Sequence, residues 1–424
     1  MKVNRRFEIC DLHSEITLSI TKLGEIVNNI PSLYIFVLFK FTTLIRYLCT
    51  QNTRKNFANN CILSIIVRMR IAKVRKLLSE NKFDALFISS AYNIRYLTGF
   101  DGFGTHEREG FALLTQSNLY VCADPRLSEG ARKNSQGATI VEFSAGKKLI
   151  PQLQKILDKE KIQVLGFEEN LTYSEYKRFR KLKNKKFKMS EDIIEFVRQE
   201  KDIEELQSLK KACELTDETF SHILKLIKQG QTELEVAWEM EKYIREHGGE
   251  LAFPTIVAFG ENSAVPHHKT GNKKLENDSI ILLDFGAKVD GYCADMTRTV
   301  FIGRTPDQFK KMYEAVRIGQ QLPFETALHE ITPEFIDKTA RDFVISQGFP
   351  SVPHSVGHGV GLEVHELPHI SPGFKEIIEP NTPFTIEPGV YIPGFGGIRI
   401  EDTVFFNGEK LLPLTNSYKN LIEL

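Results

Sequence analysis

Apolar positions along this chain follow two periods, and the places where one gives way to the other mark its domains. From Met69 the stretch MRIAKVRKLLSENKFDALFIS reads as an amphipathic helix followed by a buried strand. Up to about Ser190, short apolar strands (DALFI, FALLT, NLYVC) alternate with helical stretches such as LIPQLQKILDKEK, with Gly99 and Gly102 at turns. That βα alternation predicts an α/β domain over residues 69–190. A charged helix, EFVRQEKDIEELQSLKKACELTDETF, then opens a second domain over residues 191–424. There helices (LEVAWEMEKYIREHG, PDQFKKMYEAVRIGQQ, PEFIDKTARDFVISQG) mix with strands bounded by Gly and Pro, an α+β pattern without internal repeats. Residues 1–68 lack a clean period. Either translation starts at Met69, or the stretch is a genuine accessory extension.

Length supports the division, since 424 residues at about 150 per domain is too many for one compact core. Lys plus Arg and Asp plus Glu are 55 each, so no global positive excess draws in a phosphate backbone, and a nucleic-acid partner is not expected. The basic run KRFRKLKNKKFK (177–188) reads as a solvated helix face followed by a loop. Cys10, Cys49, Cys61, Cys122, Cys213 and Cys293 are far apart and form no CxxC pair, as expected of free thiols in the cytoplasm. The apolar segment 30–49 holds Lys40 and Arg46, each costing about 2.5 to 3.5 kcal/mol near a bilayer centre, so no membrane span is expected.

Chemistry concentrates in the second domain. In DSIILLDFGAKVDGYCADMTRTVFIG (278–303), two apolar strands flank an Asp290-Gly291 turn signal and predict a β-hairpin. Asp284 interrupts one strand and Asp295 sits in the other. A turn centred between Val289 and Asp290 sets the two aspartates opposite each other, whereas one centred on Asp290-Gly291 makes them diagonal neighbours. In either register their Cβ atoms fall within about 4.5 to 8 Å on one face. Two like charges there are destabilising unless a cation lies between them, and a metal ion answers that more economically than a turn cap or a pairing with Arg298. A second hairpin, FTIEPGVYIPGFGGIRIEDTVFF, repeats the logic with Glu387 and Glu401. In GIRIED, alternation sends Ile398 and Ile400 to one face and Arg399 with Glu401 to the other, while Pro388-Gly389 predicts a bulge that re-aims Glu387.

Histidines complete the set. In PHSVGHGVGLEVHE (353–366), His354 and His358 are four apart, but the surrounding Pro and Gly residues exclude the helix of an HExxH zinc site. The glycines instead let the backbone approach a ligand, with His358 and His365 presented from a loop and the following strand. In NSAVPHHKTGN, adjacent His267 and His268 point in different directions, so at most one faces a site. Four carboxylates and one imidazole suit a hard or borderline divalent ion and carry enough charge for two. A dinuclear centre about 3.5 to 4 Å across can hold a bridging hydroxide and polarise a carbonyl, the chemistry of amide hydrolysis.

Taken together, LLDFGA, ADMTRT, GHGVGLEVHE, IEPGVY and GIRIED resemble the ligand motifs of the pita-bread metallopeptidases. From Met69 onward the chain is similar to their Xaa-Pro aminopeptidase and prolidase branch, with a creatinase-like N-terminal domain. That resemblance implies two divalent ions, Mn²⁺ ahead of Co²⁺ or Zn²⁺, with Asp284 on one, His358 and Glu387 on the other, and Asp295 and Glu401 bridging. It further implies that His267, His354 and His365 contact substrate or move protons, with Glu387 as general base and Arg399 steadying the carboxylates. His267 is preferred to His268 because it follows the proline directly. The implied activity is cleavage of the bond before proline by an Xaa-Pro aminopeptidase acting on proline-containing peptides, assembled as a homodimer or homotetramer. A prolidase confined to dipeptides is the alternative. A non-catalytic binding relative is disfavoured because every ligand position is filled.

Overall fold

A computed structural model describes residues 52–105, 107–326 and 331–424. Helix α1 (Asn52–Glu80) buries Val67, Ile71, Val74 and Leu78, with Leu63 packed beside them. These positions follow helical spacing, so the amphipathic stripe expected from Met69 begins further upstream. The run ILSIIV had hidden it, because a single small polar residue, Ser64, gives too little contrast to reveal a period. The apolar segment 30–49, Cys10 and Cys49 lie outside the described residues. Cys122, Cys213 and Cys293 are free and buried. Among the described residues, no helix is long and apolar enough to cross a membrane.

The α/β unit continues through β1 (Ala85–Ile88), α2 (Ala91–Thr98), β2 (Gly110–Thr115), β3 (Leu119–Ala123), α3 (Pro125–Asn134), β4 (Thr139–Glu142), α4 (Leu149–Lys159), β5 (Val164–Phe167), α5 (Tyr173–Phe179) and β6 (Lys186–Met189). Its mixed sheet runs β4-β3-β2-β1-β5-β6. Strand β1 is buried on both faces: Leu86 and Ile88 pack with α1, Ala85 and Phe87 with Leu153 and Leu157 of α4. The basic run, expected as helix and loop, ends instead in edge strand β6, paired parallel to β5. Lysines on an edge strand discourage further strand addition. The single charged helix expected next is two, α6 (Ile193–Gln199) and α7 (Ile203–Ile223). Asp202 separates them by accepting from the backbone of Glu204 and Glu205, and Glu205 returns the bond to the backbone of Asp202, a capping box.

Beyond α8 (Glu233–Glu246), strands β7 (Glu250–Leu251), β8 (Ile256–Phe259), β9 (Ser279–Phe285), β10 (Ala287–Val289), β11 (Tyr292–Cys293) and β12 (Met296–Ile302) build the first half of the α+β unit. Helices α9 (Asp307–Thr326) and α10 (Pro333–Ser346) lead to β13 (Gly357–Gly359), β14 (Glu366–Ile370), β15 (Thr382–Ile386), β16 (Gly389–Ile392), β17 (Gly396–Arg399), β18 (Asp402–Phe406) and β19 (Leu411–Pro413). Helices pack on the outer faces of the strands. Ile281, Leu283 and Phe285 meet Phe220 of α7 and Met240 of α8, while Ile398 and Ile400 meet Phe309 and Val316 of α9. Alternation therefore turns the polar members of both hairpins away from the helices, toward one another.

Candidate metal centre

Strands β9 and β12 pair with Phe285 opposite Met296 and Asp284 opposite Thr297, and β10 pairs with β11 around Asp290-Gly291. Both turn residues have positive φ, 51° and 84°, the geometry that a two-residue hairpin turn requires. Of the two registers open from the sequence, this is the diagonal one. In the second hairpin, Ile386 faces Asp402 and Gly389 faces Arg399, and the same register places Glu387 across from Glu401 at the break between the paired segments.

His358 enters on β13, and His365 from the loop before β14, the reverse of the expected order. The flanking glycines also serve a different purpose from the one expected. A Cβ on Gly357 would meet Thr385 O at 2.0 Å, and one on Gly359 would meet Leu367 O at 2.0 Å. They admit neighbouring strands rather than a ligand.

Within this frame Asp295, His358 and Glu401 bring ligand atoms within 4.8 Å of one another, all three residues buried. His358 Nε2 lies 3.4 Å from Glu387 Oε1 and 3.6 Å from Asp295 Oδ2. Its Nδ1 is 3.1 Å from Gly359 O, which assigns the proton to Nδ1 and leaves the Nε2 lone pair toward the carboxylates. Burial, reinforced by His365 beside it, pushes the His358 imidazole down to about 3, so it is a neutral donor of that lone pair and not a counter-ion. Asp284 receives a hydrogen bond from Arg399 Nη2.

Electrostatics call for a cation here. Burial and then the charges of Glu401, Asp284 and Glu387 push the Asp295 carboxyl well above its usual range. Burial followed by Glu387 and Asp284 does the same to Glu401. The Glu387 carboxyl is raised to about 7 by burial, against the pull of Arg399. Moreover, Asp295 Oδ1 is buried and has no hydrogen-bond partner among the described residues. A buried carboxylate oxygen left without donor or cation is costly, and a divalent ion at this point satisfies it. The oxygen-rich donor set fits such an ion.

Around this centre, Arg399 sends Nε to the Thr297 hydroxyl at 3.0 Å and Nη1 to the Tyr391 hydroxyl at 2.8 Å. Tyr391 in turn lies 2.9 Å from His354 Nε2, and His354 Nδ1 is 2.7 Å from Ser355 O, so both His354 nitrogens are engaged within the protein. His365 is exposed and meets His358 edge to face, with ring centroids 4.3 Å apart and planes inclined at 61°. His267 is exposed too, and near enough to His354 and His365 to disfavour their protonation. His268 turns the other way, its Nε2 2.9 Å from Glu233. Thr297 and Tyr391 were missed in the sequence. Thr297 had a signal, since strand alternation from Asp295 carries to Thr297; Tyr391 was hidden by the bulge expected at Pro388-Gly389, which the structure does not form, since the register runs unchanged from Ile386–Asp402 to Gly389–Arg399.

The creatinase/prolidase N-terminal domain matches residues 70–199, and metallopeptidase family M24 matches residues 207–407. An Xaa-Pro dipeptidase of Pyrococcus furiosus is 34% identical over 356 residues, 82% of this chain and 99% of that one. The chain belongs to the M24 metallopeptidase family. This M24 protein has the family's pita-bread domain behind a creatinase-like one, and it is a metal-binding hydrolase. Its fold superposes on an Xaa-Pro dipeptidase from Bacillus anthracis with a TM-score of 0.80 at 34% identity, covering 84% of this chain and 100% of that one. On an X-Pro aminopeptidase from Thermotoga maritima the TM-score is 0.73 at 32% identity, covering 81% and 98%. The M24 chain therefore resembles enzymes named for both peptide lengths.

Proposed function

We propose that this chain is a metal-dependent Xaa-Pro peptidase that hydrolyses the amide bond preceding proline. The observation that carries this reading is the buried convergence of Asp295, His358 and Glu401, with Asp295 Oδ1 lacking a hydrogen-bond partner among the described residues. Asp284, Asp295, His358, Glu387 and Glu401 would hold two divalent ions, Mn²⁺ first among Mn²⁺, Co²⁺ and Zn²⁺. Such ions supply Lewis acidity, polarising the scissile carbonyl and making water acidic enough to attack at neutral pH.

The side chains do the rest. Arg399 fixes Asp284 and, through the Thr297 hydroxyl, Glu401. Half-buried Glu387, its Oε1 3.4 Å from His358 Nε2, is assigned to accept the attacking water's proton. Exposed His267 and His365 are assigned to orient the peptide and to return a proton to the leaving proline nitrogen. His354, with both nitrogens engaged, holds Tyr391 against Arg399.

Two peptide lengths separate the finer readings. The sequence leads to an aminopeptidase acting on longer peptides, whereas likeness to the Bacillus anthracis dipeptidase, at a TM-score of 0.80 against 0.73, supports dipeptides at least as well. Mn²⁺-loaded protein is to be incubated with Xaa-Pro dipeptides and Xaa-Pro-Xaa tripeptides. Cleavage of dipeptides alone assigns a prolidase, and release of the first residue from tripeptides assigns an aminopeptidase. Inertness toward both, across several metals, rejects the proposal. Gel filtration with light scattering tests the expected homodimer or homotetramer.

A further inference from the structure

Glu233 has no part in the chemistry above, yet it is a fully buried carboxylate whose donors all come from one segment. Oε1 accepts from Phe259 N at 3.0 Å and Asn262 Nδ2 at 2.8 Å, and Oε2 accepts from Gly271 N at 2.9 Å with His268 Nε2 also at 2.9 Å. Those donors lie at the start, middle and end of the stretch 259–271. His267 belongs to the same stretch, exposed and near enough to His354 and His365 to disfavour their protonation. By engaging His268, Glu233 also decides which of the two adjacent rings faces the centre, since neighbouring side chains diverge.

Burial alone would raise this carboxyl, but the bonds from His268, Asn262, Phe259 and Gly271 outweigh it and hold it below its usual range. Its place as the first residue of α8 adds the favourable field of a helix N-terminus. Four donors saturate both oxygens, so the loop cannot shift without leaving a buried charge short of partners. Near the site the loop has other ties, Gly397 N to Ser263 Oγ at 2.8 Å and Arg399 Nη1 to Pro266 O at 3.4 Å, neither of which orients His268.

We infer that Glu233 is a positioning residue for peptide hydrolysis, clamping the 259–271 loop so that His267 rather than His268 meets the substrate. The inference rests on the proposed role of His267, and a double-mutant cycle separates the two claims. H267A, E233Q and the double variant are compared with wild type for kcat, KM, bound Mn²⁺ and melting temperature, on whichever peptide is cleaved. A misplacement of about 1 Å can cost on the order of 100-fold. E233Q should therefore lower kcat/KM by roughly 10- to 100-fold with metal content unchanged, and in the H267A background it should cost less than about 3-fold.

Equal losses from E233Q in both backgrounds, or loss of metal, would overturn the positioning role while leaving the site reading intact. An H267A variant as active as wild type would instead remove His267 from the site, and this inference with it. Should E233Q fail to fold, N262D sets a second carboxylate against Glu233 from the partly exposed loop, and the same cycle applies. Its loss must also vanish in the H267A background.

Discussion

The Thr297 hydroxyl donates to Glu401 Oε2 at 2.6 Å, linking side chains 104 residues apart. Thr297 is opposite Asp284 in one hairpin and Glu401 faces Glu387 across the other, so this bond ties the two halves of the centre together. T297V keeps the shape and removes the hydroxyl, leaving Glu401 Oε2 and Arg399 Nε each without a partner. Metal affinity should fall about 10- to 100-fold, as for other groups that orient ligands, with a stability cost of about 1 to 3 kcal/mol. Mn²⁺ titration and urea denaturation check both numbers, and unchanged affinity would show that Glu401 needs no such support.

Asp295 should be the least replaceable ligand, because its Oδ1 has no hydrogen-bond partner among the described residues. D295N is close to isosteric and relieves the repulsion from Glu401, Asp284 and Glu387. The metal-free variant should thus melt no lower than the metal-free wild type while binding little metal. Activity should drop by at least about 100-fold, beyond what loss of an outer partner costs. Metal analysis, circular dichroism and peptide assay together decide it, and full activity would exclude Asp295 from the mechanism.

Much of this centre could be read from the sequence because strand periodicity and turn chemistry are local. Asp290-Gly291 located the first hairpin, and alternation in GIRIED separated Arg399 and Glu401 from the core-facing Ile398 and Ile400. Where contacts were tertiary, the sequence was silent. The path from His354 through Tyr391 to Arg399 joins a loop to two strands, and nothing in spacing announces it. Glu233 gave no signal at all, since its four donors become its neighbours only after the 259–271 loop folds back. The glycines around His358 were visible, but the neighbouring carbonyls that require them were not.

Glu168 in the α/β unit predicts a pH dependence unrelated to the metal. It accepts from Ser89 N at 2.6 Å, Ser90 N at 2.7 Å and Asn93 Nδ2 at 2.7 Å, yet burial and then the charge of Glu195 push its carboxyl up to about 7. Between the unfolded value near 4.3 and that one, the folded state keeps a proton that the unfolded chain has released. The contribution to stability is therefore complete below the unfolded value and is lost as pH rises through 7, by about 4 kcal/mol. E168Q has no such proton. In metal-saturated protein, the stability difference between E168Q and wild type should shift by about that amount in favour of the variant from pH 4 to pH 8. A pH-independent difference would show that the buried carboxyl titrates normally.

Upstream of Met69, the packing of α1 can be tested one side chain at a time. Val67 is 1% exposed and lies in the same cluster as Ile71 and Val74, whereas its neighbour Arg68 is exposed. V67A removes two buried methyl groups and should cost about 1 to 3 kcal/mol, the range for such deletions where the surroundings relax only partly. R68A should stay within about 0.5 kcal/mol, because it alters a solvated position on the same helix without touching the core. Urea midpoints of the two variants make the comparison internal, cancelling whatever the helix contributes by propensity alone. If V67A proved as harmless as R68A, the core of the α/β unit would begin no earlier than Met69.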